Sequence, residues 1–209
     1  ILSGLVGSEM CIRDRKYGLD YASLSTIKPD LIYCSITGFG QTGPYAHRAG
    51  YDFIVQGMGG FMSVTGEREE LPGGGPQKAG VAIADLFTGM YATSAILAAL
   101  IHRDKTGEGQ YIDLALLDVQ VATMANVASN YLTSGVAPKS WGNASPNIVP
   151  YQTFKAADGW IIVAAGNDSQ FRHFVAAGGC EHLADNPQYA TNPERVKHRN
   201  ILVPLLQEM

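Results

Sequence analysis

Apolar residues change period along this chain, and each change marks an element. Tyr21 to Ile27 has helical spacing and is stopped by Pro29. Near-continuous apolarity over Leu31-Ile32-Tyr33-Cys34-Ser35-Ile36-Thr37 predicts a strand buried on both faces, as in a parallel sheet. Helical spacing returns at Asp52 to Met62, where Phe53, Ile54, Val55, Met58, Phe61 and Met62 form an apolar stripe. Met58 and Met62 read as core fillers there, not as a cofactor box. The longest apolar run, Val81 to Ile101, has 21 residues and one formal charge, Asp85. Such a run is a buried helix, a membrane span, or a helix that presents its carboxylate to a ligand. Length permits a span. However, Asp85, Thr88, Gly89, Thr93 and Ser94 spread polarity along it, and an Asp in hydrocarbon costs about 2.5–3.5 kcal/mol. The preferred reading is a helix outside the membrane, from Asp85 to Arg103, with the cations of its last turn facing the negative helix end.

The turn Thr106-Gly107-Glu108-Gly109 leads into a strand at Gln110 to Leu116, and Asp118 then reads as the cap of a helix from Val119 to Leu132. Ser134 to Pro150 is rich in Gly, Pro, Ser and Asn and predicts a loop. Beyond it, Tyr151-Gln152-Thr153-Phe154 and Trp160 to Ala164 flank Ala157-Asp158-Gly159, the signature of a β-hairpin. Asn167 to Ala177 is helical in pattern. The class is therefore α/β, with a change of domain near Pro150. Residues 1–15 follow neither period and lack the basic start and cleavage site of a signal peptide. They read as a non-native junction and are set aside. Leu205 to Met209 stops in a helical pattern without a cap, the mark of a truncated chain.

Composition narrows the chemistry. Hydrophobic content of 46% with 16% charge is that of a globular chain. Lys+Arg of 15 against Asp+Glu of 19, with no basic block, excludes nucleic acid as a partner. Cys11, Cys34 and Cys180 are far apart with no CxxC pair, which implies a reducing, cytoplasmic compartment, no disulfide framework and no metal site.

Two stretches carry candidate chemistry. Asp85 at a helix start can be a simple cap, but Gly73-Gly74-Gly75-Pro76 and the small residues Ala79, Gly80, Ala82 and Ala84 would let a ligand approach the backbone. A helix N-terminus that stabilises Asp also suits an anion or a developing oxyanion. The second stretch, Gly38-Phe39-Gly40-Gln41-Thr42-Gly43-Pro44, follows a strand's carboxyl end, where ligand loops of α/β sheets lie. It is neither a GxGxxG fingerprint nor a P-loop.

From Lys16 to Met209 the sequence resembles the type III CoA-transferases, the carnitine dehydratase/bile-acid-inducible protein F family. The resemblance rests on Pro29 to Pro44, Arg48-Ala49-Gly50-Tyr51-Asp52, the Asp85 segment, Lys105 to Gln110, and Pro150-Tyr151-Gln152-Thr153-Phe154 with Ala157-Asp158-Gly159, in that order. It implies part of a Rossmann-like large domain over residues 16–148 and the start of a smaller α+β domain over 149–209. It further implies a CoA-transferase in which Asp85 is the nucleophile, forming an aspartyl anhydride and then an aspartyl-CoA thioester. Gly38, Phe39, Gly40, Arg48 and Tyr51 would bind substrate or CoA. Acyl-CoA and small carboxylic acids are then the partners, CoA enters as part of the substrate, and no permanent cofactor is needed. Racemases of the family place His where this chain has Tyr51, and a phenol is a poor base at neutral pH. Transfer is therefore favoured over an α-methylacyl-CoA racemase-like isomerisation; a catalytically silent fragment is the remaining alternative. Full-length members form interlocked homodimers. The family's amino-terminal CoA-nucleotide region, later glycine loop and carboxyl-terminal return have no counterpart in the 209 residues.

Overall fold

The structure, a computed structural model, describes residues 14–209. Most of the segment read as foreign therefore lies outside it; residues 14–17 form a helical turn, and the Tyr33 hydroxyl donates to Asp14 Oδ2 at 3.3 Å. Helix α1 (Tyr21–Ile27) starts where Asp20 supplies a cap, its Oδ1 accepting from the Ser23 amide at 3.2 Å. Strand β1 (Ile32–Thr37) pairs parallel with β2 (Gln110–Ala115), Ile32 opposite Gln110 and Thr37 opposite Ala115. The parallel pairing matches the apolar run. The expected burial on both faces does not appear, because β1 is mostly half-buried and, among the described residues, its sheet has two strands.

Two helices read as single pieces are each divided. α2 (Asp52–Met58) and α3 (Phe61–Val64) are separated by Gly59-Gly60. The long helix α4 (Ile83–Thr106) starts two residues before Asp85 and ends on left-handed Gly107, whose N–H donates to Arg103 O at 2.7 Å. α5 (Leu116–Thr123) and α6 (Ala125–Ser134) meet at Ala125, whose φ of 37° breaks the helical path. Asp118, read as the cap of this helix, lies in the first turn of α5 without a side-chain cap bond.

α4 packs against β1, β2, α2 and α5. It buries Ala84, Thr88, Ala92 and Ala99, small residues that allow close approach, and leaves Leu86, Met90, Leu97 and Ile101 exposed. By length and composition alone it is apolar enough to cross a membrane.

Backbone contacts divide the chain into two units: residues up to Thr65 with Gly75–Ser140, and Gly66–Gly74 with Trp141–Met209. In the second unit β3 (Tyr151–Lys155) pairs antiparallel with β4 (Trp160–Ala164), and Ala156 N–H donates to Gly159 O at 2.8 Å across the turn. α7 (Asp168–Ala177) is capped by Asn167, whose Oδ1 accepts from Gln170 N at 2.9 Å. α8 (His182–Asp185), α9 (Asn192–Lys197) and α10 (Arg199–Gln207) complete the unit. Phe154, Val163, Phe171, Val175, Leu183, Leu202 and Leu206 share its core.

Arg195 runs fully buried through that core. It donates to Val149 O at 2.7 Å, to Tyr189 O at 3.0 Å and to Asp168 Oδ1 at 2.8 Å, with its guanidinium 4.4 Å over the Phe171 ring. Every bond it makes satisfies a charge or carbonyl that burial would otherwise penalise.

Candidate active site

The turn after β1 is held by its glycines. A Cβ on Gly38 would stand 2.3 Å from Gly50 Cα, and one on Gly50 would stand 2.2 Å from Gly38 Cα. The two backbones touch only because both residues lack side chains. Further ties fix the turn: Gly40 N donates to Thr37 Oγ1 at 2.8 Å, and Gln41 N to Asp113 Oδ2 at 2.9 Å. Leu117 N donates to Gly38 O at 3.1 Å, joining the turn to α5.

Gly50 is followed by Tyr51 and Asp52, and Asp52 reaches the long helix. Its Oδ1 accepts from Ala84 N at 2.8 Å and from Asp85 N at 3.3 Å. Its Oδ2 accepts from Gln56 Nε2 at 2.5 Å, while Gln56 Oε1 accepts from Ala79 N at 2.8 Å. Gln56 is fully buried, so its amide is a fixed brace between α2 and the segment entering α4. One chain of contacts thus runs from Gly38 through Gly50 and Asp52 to the backbone of Asp85.

Asp85 is exposed, in the first turn of α4, and its carboxylate has no hydrogen-bond or ion-pair partner among the described residues. Although the residue is exposed as a whole, lost hydration at the carboxyl raises its pKa, and the Asp52 charge raises it further. Three expectations change here. Asp85 does not cap α4; that task falls to Asp52, from another helix. The first-turn amides are also not open to an oxyanion, since Asp52 already occupies those of Ala84 and Asp85. Nor is Gly74 kept small for a ligand: a Cβ there would meet Arg68 O at 2.3 Å, so the chain's own turn requires it.

The other candidates divide into two sets. Tyr51 precedes α2, is exposed, and makes no side-chain cap bond. Phe39 and Arg48 meet through Tyr45: the Phe39 and Tyr45 rings are 5.5 Å apart edge to face, and the Arg48 guanidinium lies 4.5 Å over Tyr45. Asp52 and Gln56 were not among the site residues expected from the sequence. An Asp opening a helical stretch was visible, but not that its acceptors face a helix over thirty residues later.

Several known proteins are similar to this chain. A succinate–glutarate CoA-transferase from Agrobacterium fabrum is 61% identical over 184 residues, covering 88% of this chain and 45% of the relative. The human succinyl-CoA:glutarate CoA-transferase is 47% identical over 191 residues, covering 91% of this chain and 43% of the relative. A crystal structure of a CaiB/BaiF family protein from Brucella suis superposes with a TM-score of 0.77 at 55% identity, covering 95% of this chain and 51% of that one. The chain thus spans about half the length of the proteins it matches. The family model for CoA-transferase family III matches residues 10–209, and the chain belongs to that family.

Proposed function

We propose that the protein carrying this chain transfers CoA from an acyl-CoA to a carboxylic acid, with Asp85 as the covalent nucleophile. The observation that carries this reading is the state of Asp85: an exposed carboxylate without a hydrogen-bond or ion-pair partner among the described residues, on a backbone held by Asp52, with raised basicity. A capping or ion-paired Asp would be less basic and would have fewer oxygens free. Here a neighbour performs the capping and leaves the Asp85 oxygens available.

In the proposed sequence Asp85 attacks the thioester carbonyl, the C–S bond breaks, and an acyl–aspartyl anhydride and CoA thiolate result. The thiolate attacks the aspartyl carbonyl, releasing the donor carboxylate and leaving an aspartyl-CoA thioester. The acceptor carboxylate displaces the thiolate to give a second anhydride. Thiolate attack on its acceptor carbonyl yields the new acyl-CoA and regenerates Asp85. No proton is gained or lost overall. Charge develops on the carbonyl oxygen in each attack and needs donors other than the Ala84 and Asp85 amides. The relatives named for succinate and glutarate support a dicarboxylate pair of that size as donor and acceptor. Gly38, Phe39, Gly40, Arg48 and Tyr51 remain the residues proposed to line the substrate.

Trapping tests the nucleophile. Protein incubated with succinyl-CoA and quenched with hydroxylamine should carry a hydroxamate on Asp85, and Asp85→Asn should lose turnover by several orders of magnitude. A modification on Asp52 or Asp118, or an active Asp85→Asn protein, places the chemistry elsewhere. Rapid α-deuteration of a 2-methylacyl-CoA without an acceptor acid would instead establish isomerisation.

A further inference from the structure

The second unit contains a cavity of about 380 Å³, within the size range of small-molecule sites. Both tryptophans of the chain, Trp141 and Trp160, line it together with Arg68, Arg199, Gln152 and Asn200. Arg199 is held in place: it donates to Ser145 O at 3.0 Å and Pro146 O at 2.7 Å, and its guanidinium lies 4.3 Å over Trp141. Burial and the charge of Arg68 both lower the Arg199 pKa, so the two cations are close enough to repel. Among the described residues Arg68 makes no side-chain hydrogen bond, and its ion-pair partner is Glu70 at 3.8 Å. Glu67 on the same wall accepts the Arg68 backbone N–H through Oε1 at 2.7 Å. The side-chain amides of Gln152 and Asn200 also have no partner among the described residues. Trp160 is 71% exposed, an unusual position for an indole.

Donors without acceptors and a like-charged pair call for an anion, and an open indole face calls for a planar group. We propose that this cavity binds a planar anion the size of a nucleoside monophosphate, its charge received between Arg68 and Arg199 and its ring laid against Trp160. Bound there, the anion relieves the repulsion between the guanidiniums and supplies acceptors to the amides.

Because both tryptophans line the cavity, tryptophan emission of the whole chain reports on this site alone. Titration with adenosine monophosphate should change it saturably, with half-saturation near ~1 mM or below. Adenosine and inorganic phosphate, which carry the ring and the charge separately, should each bind at least about tenfold more weakly. Arg68→Gln should weaken adenosine monophosphate by about tenfold or more, without lowering the melting temperature of the unliganded protein. If that variant does melt lower, Arg68→Lys decides, and it must recover binding. An unsaturable titration overturns the proposal, as does adenosine or phosphate matching the nucleotide. So does a titration unchanged in Arg68→Gln, or unrecovered in Arg68→Lys.

Discussion

In the second unit, aromatic and branched side chains from β3, β4 and the helices meet in one buried cluster, whereas among the described residues the buried cluster around α4 in the first unit holds Val55, Ala84 and Leu116. The first unit places small residues of α4 inward and large ones outward; Leu97 is 54% exposed, while Leu202 of the second unit is fully buried. What holds the first unit at its candidate site is not bulk burial but directed contacts: the Gly38–Gly50 backbone crossing, and the brace of Asp52 and Gln56. Hydrophobic burial is non-directional. Hydrogen bonds to backbone amides fix orientation. For the carboxylate proposed as nucleophile, the second kind of support leaves the side-chain oxygens open.

The contrast can be broken most strongly at Arg195. Arg195→Ala removes the buried donors of the Val149 and Tyr189 carbonyls and the cation over Phe171. Orphaned buried acceptors and a vacated volume together should cost about 3–5 kcal/mol. Both tryptophans belong to the second unit, so denaturant unfolding followed by their emission reads this loss directly. An unchanged midpoint would mean that the guanidinium is dispensable to the core.

A leucine pair sharpens it. Leu202→Ala should cost about 2–5 kcal/mol as a truncation inside a filled core. Leu97→Ala, on the outward face of α4, should stay within about 0.5 kcal/mol. Circular dichroism together with tryptophan emission separates the two units in such melts. Comparable losses would show that the outward face of α4 is as well packed as the second core.

Elements governed by neighbours in sequence were legible. Asp20 and Asn167 cap helices that begin beside them, and the Asp-Gly turn closes β3 on β4 as its residues require. The Gly59-Gly60 break is equally local, yet the apolar stripe over Asp52 to Met62 runs straight across it and masks it. What escaped was set by distant partners. Asp85 has every local property of a cap, but Asp52 had already taken the amides. Arg195 bonds Val149, 46 residues away, and no periodicity announces such a partner. The excursion Gly66–Gly74 into the second unit, and with it Arg68 beside Arg199, was invisible for the same reason.

The start of α4 offers the pair of variants that discriminates best. Asp52→Ala removes the acceptor of two first-turn amides of α4 and leaves the buried Gln56 Nε2 without its partner, and should cost about 1–2 kcal/mol. Asp85→Asn removes no bond that the fold uses. Because the Asp85 pKa is raised in the folded chain above its ordinary 3.8, the unfolded chain loses this proton first as pH rises. The wild-type carboxylate therefore lowers stability progressively from about pH 3.8 up to its folded pKa, after which the effect is constant. Asp85→Asn removes that penalty. The variant should be no less stable than wild type at neutral pH, and any advantage should fade as pH falls below 3.8. Paired melts of the two variants across pH measure this. If Asp85→Asn loses as much as Asp52→Ala at neutral pH, Asp85 is itself the cap, and the separation of bracing from chemistry at this helix start fails.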